Sequence, residues 1–271
     1  MDREKITLTG AQETMLATLY ARALDSRSPR SILHDVDAEK AIERIDYDFR
    51  KTGIKPTDAA GVALRAKQLD DWTAEFLAKH PTCTVLHLAC GLDTRVSRLK
   101  PSPSVRWVDL DHPGVIELRE RLLPKPEGDY RMVAASVTDE AWLAEVPADR
   151  PTVAVFEGLS MYLREEDGKR LLRRIVDRFP SGELLFDVYG SVGIRLQKLV
   201  PAVRNAGATL HWGVDDPKVI EGLHEKLRCV DALRSVDMDL DKLPASGRIA
   251  MWVVARLPWL RDAGRILRFR F

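Results

Sequence analysis

The chain has few cysteines and no long apolar run, and these absences exclude several classes of protein. Three cysteines occur in 271 residues, at positions 83, 90 and 229. They cannot all pair, and their spacing matches no zinc motif. No apolar run approaches the roughly 18 residues of a membrane-spanning helix, and the charged start MDREKITLTG lacks the apolar region of a signal peptide. We therefore expect a cytoplasmic protein with reduced thiols, no metal site and no membrane partner.

An excess of charge of either sign is also absent. Lys and Arg number 42 against 41 Asp and Glu, which gives a net charge of +1, and the basic residues are scattered among acidic ones. This balance argues against a nucleic-acid partner. With 45% hydrophobic residues, residues 1–271 are long enough to form one large α/β domain with its own core.

The chain is organised around residues 84–98, TVLHLACGLDTRVSR. Residues 84–89 are predicted to form a buried strand, which ends in the small-residue turn 90–93. In open α/β sheets ligands bind at the carboxyl ends of the strands. Gly91 lets the backbone bend sharply there and lets a ligand approach closely. Many such turns only connect a strand to a helix, so this turn predicts a site only in combination with residues further along the chain.

Apolar segments of strand length alternate with helical patterns along the rest of the chain. The pattern predicts helices at 57–79 and 165–179 and further strands at 104–110, 130–135, 151–156 and 183–189. Such alternation indicates a parallel sheet with helices on both faces. Two late segments, at about 228–238 and 248–257, are predicted to close the sheet as an antiparallel pair.

Several strings together resemble a known family. They are LACGLDTR, YARALDSRSPRSILHD, ERIDYDF, WVDLDHPGVIELRERLLP, FEGLSMYL, LLFDVYG and HWGVDDP, and they span about Tyr20 to Leu257. They are similar to motifs of the leucine carboxyl methyltransferase-like family, which includes the tetracenomycin-type polyketide O-methyltransferases. Its members are class I enzymes that use S-adenosyl-L-methionine (SAM), so the resemblance implies this cofactor.

The resemblance also implies the architecture. It predicts a class I methyltransferase (Rossmann-like) α/β sheet, mostly parallel with an antiparallel C-terminal strand. The predicted parts are a helical N-terminal cover at 1–56, a SAM-binding core at 57–189, a lid insert at 190–214, and a C-terminal helix with closing strands at 215–271. The expected cover carries Tyr20, Arg22 and Arg27, any of which could face the cofactor or simply pack on the surface.

One departure from the family is Ala89, which stands where the first glycine of G-x-G is usual. Alanine still allows a SAM-binding turn but narrows the approach to it. The same substitution argues against a nicotinamide-dependent oxidoreductase, because the dinucleotide fingerprint needs G-x-G-x-x-G.

Arg65 is an anomaly in an apolar helical stripe. The stripe consists of Val62, Arg65, Leu69, Trp72 and Phe76. A buried guanidinium needs an anionic partner. It could pair with Asp70 or Asp71, or its stem could extend to water. The alternative is a bidentate clamp on the amino-acid carboxylate of SAM, which is the role of the arginine in R-A-x-x-x-D-D of the family.

Asp111 is the candidate ribose ligand. It lies 20 residues after Gly91 at the end of the second strand, where a carboxylate can accept hydrogen bonds from both ribose hydroxyls. Asp109 lies on the same strand face, but the match of D-H-P-G-V-I to the family selects Asp111. Capping the following helix is a competing role for its oxygens.

The resemblance assigns the remaining cofactor contacts. Ser136 and Val137 follow the third strand, where the family holds the adenine by one hydrogen bond and one apolar contact. Glu157 matches E-G-x-x-M-Y-L and is implied as the partner of the SAM amino group; otherwise it is an edge carboxylate in water.

The acceptor site is predicted less sharply. His211, beside Trp212 in the lid insert, is the candidate general base, although loop packing is an alternative, and His112 is second. His87, inside the central strand, is expected to be a hydrogen-bonded core residue. The aromatic candidates for contact with the acceptor are Tyr20, Tyr162, Tyr189 and Trp212.

The sequence therefore predicts a SAM-dependent O-methyltransferase acting on a small metabolite. A phenol or enol of polyketide type, which gains from a base, is the favoured acceptor. The carboxylate of a small acid or a peptide, which needs no base, is second. A nicotinamide-dependent oxidoreductase and a SAM-binding protein without turnover are the alternatives of other classes. The sequence defines neither the acceptor nor the oligomeric state.

Overall fold

A seven-stranded sheet positions every other element of this computed structural model, which describes residues 3–6 and 10–271. The parts of the predicted N-terminal cover at residues 1–2 and 7–9 lie outside the described residues. The strands are β1 (Thr84–Leu88), β2 (Arg106–Asp111), β3 (Asp129–Ala134), β4 (Thr152–Phe156), β5 (Gly182–Tyr189), β6 (Arg228–Arg234) and β7 (Gly264–Arg270). Their order is β3-β2-β1-β4-β5-β7-β6, and β7 alone runs antiparallel to its neighbours.

Strands β1, β2, β4 and β5 are buried on both faces because helices cover both sides of the sheet. Alternate residues of β1 point to opposite faces, so Leu86 and Leu88 belong to one core cluster and Val85 to the other. The 24-residue helix α3 (Pro56–Lys79) packs Leu69, Trp72 and Phe76 on the Val85 side. The predicted parallel core and its apolar helix stripe are confirmed.

The opposite face is covered by a helix with a strongly one-sided pattern. Helix α7 (Glu165–Arg178) buries Leu171, Leu172, Ile175 and Val176. Three acidic residues occupy its first turn, where their negative charge interacts favourably with the helix dipole and stabilises the helix. The shorter connecting helices are α4 (Arg95–Leu99), α5 (Pro113–Leu122), α6 (Ala141–Ala144) and α10 (Lys218–Glu221).

The N-terminal residues form a separate layer over one end of the sheet. Helices α1 (Thr14–Ser26) and α2 (Val36–Glu43) share a core cluster with Leu92, Leu118 and Leu122. A short parallel pair, Glu4–Lys5 with Ile45–Asp46, adjoins them. The predicted helical cover is therefore present in the described residues.

Segment 190–214, called the lid segment below, is built from short helical pieces. They are α8 (Ser191–Arg195), a 3-10 turn at Gln197–Leu199 and α9 (Pro201–Asn205). The segment is tied back to the sheet where Val214 N donates to Tyr189 O (2.7 Å) and His211 N donates to Met161 O (2.7 Å).

The closing strands correct one prediction. Residues 228–234 form β6, within the predicted segment 228–238. The second predicted strand, 248–257, is wrong, because residues 248–256 belong to helix α11 (Ala245–Arg256). The strand that inserts between β5 and β6 is the terminal GRILRFR, β7. In the part of the chain that the structure describes, no helix is both long and apolar enough to cross a membrane.

Candidate active site

A cavity of about 380 Å³ opens beside the carboxyl ends of β1, β2, β4 and β5. Its volume lies in the range of small-molecule sites. Seven residues predicted to contact the cofactor all line this cavity, although they come from segments far apart in the chain. They are Arg65, Ala89, Gly91, Asp111, Ser136, Val137 and Glu157.

The turn after β1 has left-handed backbone on both sides of Cys90. Ala89 and Gly91 each have φ near +48°, a region that suits glycine and strains alanine. A Cβ on residue 91 would lie 3.3 Å from Met15 Cβ of α1. Both conformation and contact therefore favour glycine at position 91, whereas Ala89 occupies a strained position.

Asp111 joins this turn to the end of β2. Its carboxylate accepts hydrogen bonds from the backbone N–H groups of Gly91 (2.8 Å) and His112 (2.7 Å). Each oxygen keeps a second acceptor site beside the cavity. Helix α5 begins beyond it, at Pro113, with His112 as its N-cap. Burial raises the pKa of Asp111, against the opposing effect of these hydrogen bonds.

Arg65 bridges two acidic side chains beside the ends of β4 and β5. Its guanidinium lies 3.0 Å from Glu157 Oε1 and 3.0 Å from Asp187 Oδ2. These contacts leave N–H groups on both terminal nitrogens for a ligand, and 20% of the side chain remains exposed. The alternative pairing with Asp70 or Asp71 is wrong, since those residues pair with other cations.

Glu157 is held from both sides. One oxygen accepts from Arg65 and the other from Arg95 Nη2 at 2.9 Å, and its side chain is buried. It is therefore not an edge carboxylate in water. Its orientation is fixed by two guanidinium groups rather than by solvent.

A buried ionic network lies beneath the cavity. Arg98 contacts Asp70 (2.7 Å), Asp93 (2.8 Å) and Asp35 (3.0 Å), and Arg95 contacts Asp70 at 2.6 Å. Burial alone would raise the pKa of Asp93, but the neighbouring guanidinium groups outweigh it and hold the pKa well below its usual range. The network fixes the GLDTR turn against α1, α2 and α3.

Asp109 has a structural role distinct from that of Asp111. It is fully buried and accepts hydrogen bonds from Trp107 Nε1 (2.7 Å), Tyr130 Oη (2.6 Å) and Arg119 Nη2 (2.5 Å). His87 Nδ1 lies 2.9 Å from it. The prediction that His87 is a hydrogen-bonded core residue is confirmed.

The predicted adenine contacts lie at the start of the loop after β3. Ser136 Oγ shares a hydrogen bond with Thr138 Oγ1 (2.8 Å), and its backbone N–H donates to Asp139. Val137 is buried in the core but still borders the cavity. The serine hydroxyl is thus already engaged, and it keeps acceptor capacity for a ligand.

The end of the cavity near the lid segment is mainly apolar. Met161, Val203 and Leu210 form a small core cluster with Tyr162 and Tyr189 against it, and all five line the cavity. Burial raises the pKa of both tyrosines. Both are therefore neutral phenols at neutral pH and can donate hydrogen bonds but not act as bases.

Three acceptor-site predictions need correction. His211 is exposed and does not border the cavity. Trp212 is buried in the main core, where its ring occupies the space beside Gly168. Tyr20 stacks on Phe49 with ring centroids 5.2 Å apart and lies away from the cavity.

The cause of the errors on His211 and Trp212 is the path of the lid segment. It turns away from the cavity at residues 211–214, where His211 N donates to Met161 O and Val214 N donates to Tyr189 O. The residues that face the cavity instead are Val200, Ala202, Val203 and Leu210. Of the N-terminal arginines, Arg22 borders the cavity, while Arg27 pairs with Glu39 and Glu43 on the surface. Among the described residues, no group of His, Cys, Asp and Glu side chains is arranged to hold a metal ion.

Sequence reasoning missed Asp187 and the buried pairing of Arg95. For Asp187, the signal in the sequence was a charged residue inside the apolar strand LLFDVYG. For Arg95, it was the presence of charged residues in the GLDTR turn, which follows a buried strand. A buried charge needs a partner, but its identity depends on the fold, because Arg65 and Asp187 lie 122 residues apart.

Comparisons with known proteins agree with this geometry. Residues 15–176 match the leucine carboxyl methyltransferase family. The chain is 45% identical over 271 residues to the tetracenomycin polyketide synthesis O-methyltransferase TcmP of Streptomyces glaucescens, and the match covers 99% of each. It is 37% identical over 286 residues to the SAM-dependent methyltransferase dpfgK of Gibberella zeae, covering 98% of this chain and 96% of that relative.

The likeness to solved structures concerns the fold. A duf574 family protein from Streptomyces avermitilis superposes with a TM-score of 0.59 at 16% identity, covering 93% of this chain and 96% of that one. The mostly parallel sheet with one antiparallel strand near the C-terminus is the class I methyltransferase fold that the resemblance predicts. The nicotinamide-dependent alternative is set aside, and the chain belongs to the leucine carboxyl methyltransferase family of SAM-dependent methyltransferases.

Proposed function

We propose that this methyltransferase transfers the methyl group of SAM to an acidic oxygen of a small, aromatic acceptor of polyketide type. The observation that carries the proposal is the division of one cavity into two unlike ends. Charged and polar groups surround the turn after β1, and an apolar wall follows at the lid segment. The relative TcmP, an O-methyltransferase of polyketide synthesis, supports the acceptor class.

In this proposal the polar end holds the cofactor. Arg65 binds its carboxylate, Glu157 its amino group and Asp111 its ribose, while Ser136 and Val137 hold the adenine. SAM supplies the electrophilic methyl group. The residues of the chain align the two reactants, an effect that can contribute roughly 7–11 kcal/mol.

The apolar end binds the acceptor and excludes water. Met161, Val203 and Leu210 present side chains without hydrogen-bonding groups to it. Tyr162 and Tyr189 add aromatic surface and hydroxyl donors. A flat aromatic acceptor with oxygen substituents fits this combination better than a sugar or a peptide.

The charge state of the acceptor oxygen depends on the groups that line this end. Tyr162 and Tyr189, the ionisable groups at this end among the described residues, are neutral, and Glu157 at the polar end is bound by two arginines, so none of the three is a free base. His112 borders the cavity beside Asp111, at the other end. The transferred methyl is therefore accepted by an oxygen that ionises by itself, such as a phenol or enol acidified by neighbouring carbonyl groups.

A carboxylate is the second candidate acceptor. A carboxylate is ionised throughout the neutral range. It therefore needs no base, which agrees with the lack of a free base near the acceptor. The two candidates differ in the product, which is an ether in one case and an ester in the other.

Labelled methyl transfer distinguishes them. Wild-type protein is incubated with SAM labelled in its methyl group and with pairs of aromatic acceptors that differ only in having a hydroxyl or a carboxyl group. Label that survives alkaline hydrolysis shows ether formation, and label released as methanol shows an ester. Transfer to neither class, with SAM bound, would contradict the proposal.

A further inference from the structure

The lid segment departs from the balanced charge of the chain as a whole. Residues 188–214 contain no Asp or Glu, although these acids make up 41 of the 271 residues. The basic residues in this stretch are Arg195, Lys198 and Arg204. Lys51 joins them in space, because Asn205 Nδ2 of α9 donates to its carbonyl oxygen at 2.9 Å. The four bases are called the basic rim below.

The charges of the basic rim are not neutralised by acids. All four residues are exposed, and among the described residues none of the four forms an ion pair. Bases elsewhere on the surface do pair, as Lys67 does with Asp71. Asp48, the acid closest to Lys51 along the chain, is already bound by Arg50 at 2.8 Å. The basic rim is therefore a local excess of positive charge.

The basic rim adjoins the apolar end of the cavity. Arg204 directly follows the lining residue Val203, and Lys198 lies two positions before Val200, which also lines the cavity. The hydrogen bond from Asn205 keeps the backbone of Lys51 close to the same helix. The carboxylates that line the cavity belong to its polar end. Positive charge is therefore concentrated where the acceptor would enter.

A field of one sign beside a cleft attracts ligands of the opposite charge. Such fields raise association rates by about 10–10³-fold, and they extend about 8–10 Å at physiological salt. SAM carries a net positive charge, so the basic rim does not attract the cofactor. The acceptor is the other reactant, and the lack of a free base near it favours an acceptor that is already ionised.

We propose that the basic rim selects aromatic acceptors that are already anions when they enter the cavity. The inference rests on the proposed function, because it takes the apolar end as the acceptor site. The apolar wall binds the ring system, and the basic rim attracts its negative charge, which a carboxylate or an ionised phenol can carry. The four bases act on binding of the acceptor and do not contact the transferred methyl group.

Calorimetric titration of the S-adenosylhomocysteine complex tests this selection without turnover. The two probes are 1-hydroxy-2-naphthoate and its amide, which is neutral at neutral pH. At low ionic strength wild type should bind the naphthoate about tenfold more tightly than the amide. The double variant Lys198→Glu/Arg204→Glu should lose this preference and keep its affinity for the amide. In 1 M salt, where the Debye length is about 3 Å, wild type should lose the preference too.

The amide also tests whether charge alone is recognised. Above the pKa of its hydroxyl it becomes a phenolate, and wild type should then bind it more tightly, whereas the double variant should not. A gain of equal size in both proteins would overturn the role of the basic rim for phenolates. Loss of affinity for the naphthoate alone would then assign the selection to carboxylates.

Lys79→Glu is the matched control for the single variant Lys198→Glu. Lys79 is exposed and ends α3 just before β1 begins, at the opposite edge of the sheet from the cavity. Both variants change the net charge of the chain equally. Lys79→Glu should keep the wild-type preference for the naphthoate, and Lys198→Glu should lower it several-fold.

Equal affinity of wild type for the two probes at low salt, or a preference that survives in the double variant, would overturn the proposal. Methyl transfer to aromatic oxygens without any such preference would leave the proposed function intact. A preference that depends on the basic rim, without transfer to any oxygen, would instead contradict the proposed function and uphold the selection of anions.

Discussion

The backbone of the turn after β1 shows how single residues shape the site. Ala89 and Gly91 share a φ near +48°. The Cβ of Ala89 already packs against the main core cluster, whereas a Cβ added at position 91 would press on Met15. Left-handed backbone costs a residue with a Cβ about 1–2 kcal/mol. Replacing Ala89 by glycine and replacing Gly91 by alanine should therefore change the free energy of unfolding in opposite directions.

We expect Ala89→Gly to keep or raise the free energy of unfolding, by up to about 1 kcal/mol. Relief of strain is partly offset by the greater freedom of glycine in the unfolded chain, about 0.4–1 kcal/mol. Gly91→Ala should lower it by about 1–2 kcal/mol or more. Urea denaturation measures both, and a clear loss in Ala89→Gly would contradict the strained geometry.

Asp187 is expected to position Arg65 for the cofactor. It accepts from Arg65 Nη1 (3.0 Å) and from the backbone N–H of Gly158 (2.7 Å). Burial raises its pKa; Arg65 opposes this rise and Glu157 adds to it. Tyr189 is the remaining ionisable group nearby, and it stays neutral. Asp187 therefore takes up a proton at a higher pH than an ordinary aspartate.

The consequence is a pH-dependent affinity for SAM. As pH falls through the raised pKa, Asp187 loses the charge that holds Arg65, so wild type should bind SAM more weakly. Asp187→Asn lacks that charge at every pH. It should bind more weakly at neutral pH and vary less on acidification, the remaining variation being due to Asp111. Calorimetry from pH 8 down to the lowest pH at which the protein stays folded measures this, and parallel curves for the two proteins would exclude the role.

His211 provides a complementary prediction. Because it is exposed and outside the cavity, His211→Ala should leave methyl transfer within about twofold of wild type at every pH from 6 to 9. A loss confined to low pH would instead reveal a base that reaches the acceptor.

At the scale of elements, the two late segments show where sequence patterns become ambiguous. RIAMWVVAR at 248–256 has β-branched and aromatic residues typical of strands, yet it forms α11. A short apolar run cannot be assigned by periodicity alone. The segment that forms the closing strand is GRILRFR, which pairs with both β5 and β6. Four consecutive residues of it, Ile266 to Phe269, are buried.

The lid segment contacts the N-terminal cover closely around Gly53 and Lys51. A Cβ added to Gly53 would lie 2.8 Å from Pro201 Cβ, and Asn205 Nδ2 donates to Lys51 O (2.9 Å). Since Val200 and Val203 line the acceptor end, a shift of α9 should change the acceptor pocket while the cofactor end is kept.

Gly53→Ala should therefore raise KM for the acceptor several-fold with little change in affinity for S-adenosylhomocysteine. Gly207→Ala is the matched control: φ is also positive, +64° against +73°, but its added Cβ would meet nothing within 4 Å. Both variants should lose stability, and only Gly53→Ala should alter acceptor KM. Equal effects on KM would show that strain alone is responsible.

For the whole molecule, the sequence predicted the elements that local pattern dictates. The five parallel strands, the apolar stripe of α3 and the residues at the strand ends follow from periodicity and from the family motifs. The ionic network around Asp93 did not, because its partners come from α1, α2, α3 and α4, and their meeting depends on tertiary packing. The path of the lid segment depended on tertiary packing in the same way, so His211 and Trp212 were misplaced.

Calorimetric titration of S-adenosylhomocysteine into three proteins tests most directly whether Arg65 holds the cofactor in this cavity. The proteins are wild type, Arg65→Ala and the control Arg268→Ala, whose arginine is likewise buried against two acids, Glu183 (2.8 Å) and Glu75 (2.7 Å), outside the cavity. Both variants leave carboxylates unpaired and should lose stability. Arg65→Ala should bind at least tenfold more weakly, about 1.4 kcal/mol, and Arg268→Ala as tightly as wild type. Wild-type affinity in Arg65→Ala would contradict the assignment and make Arg65 a structural ion-pair residue.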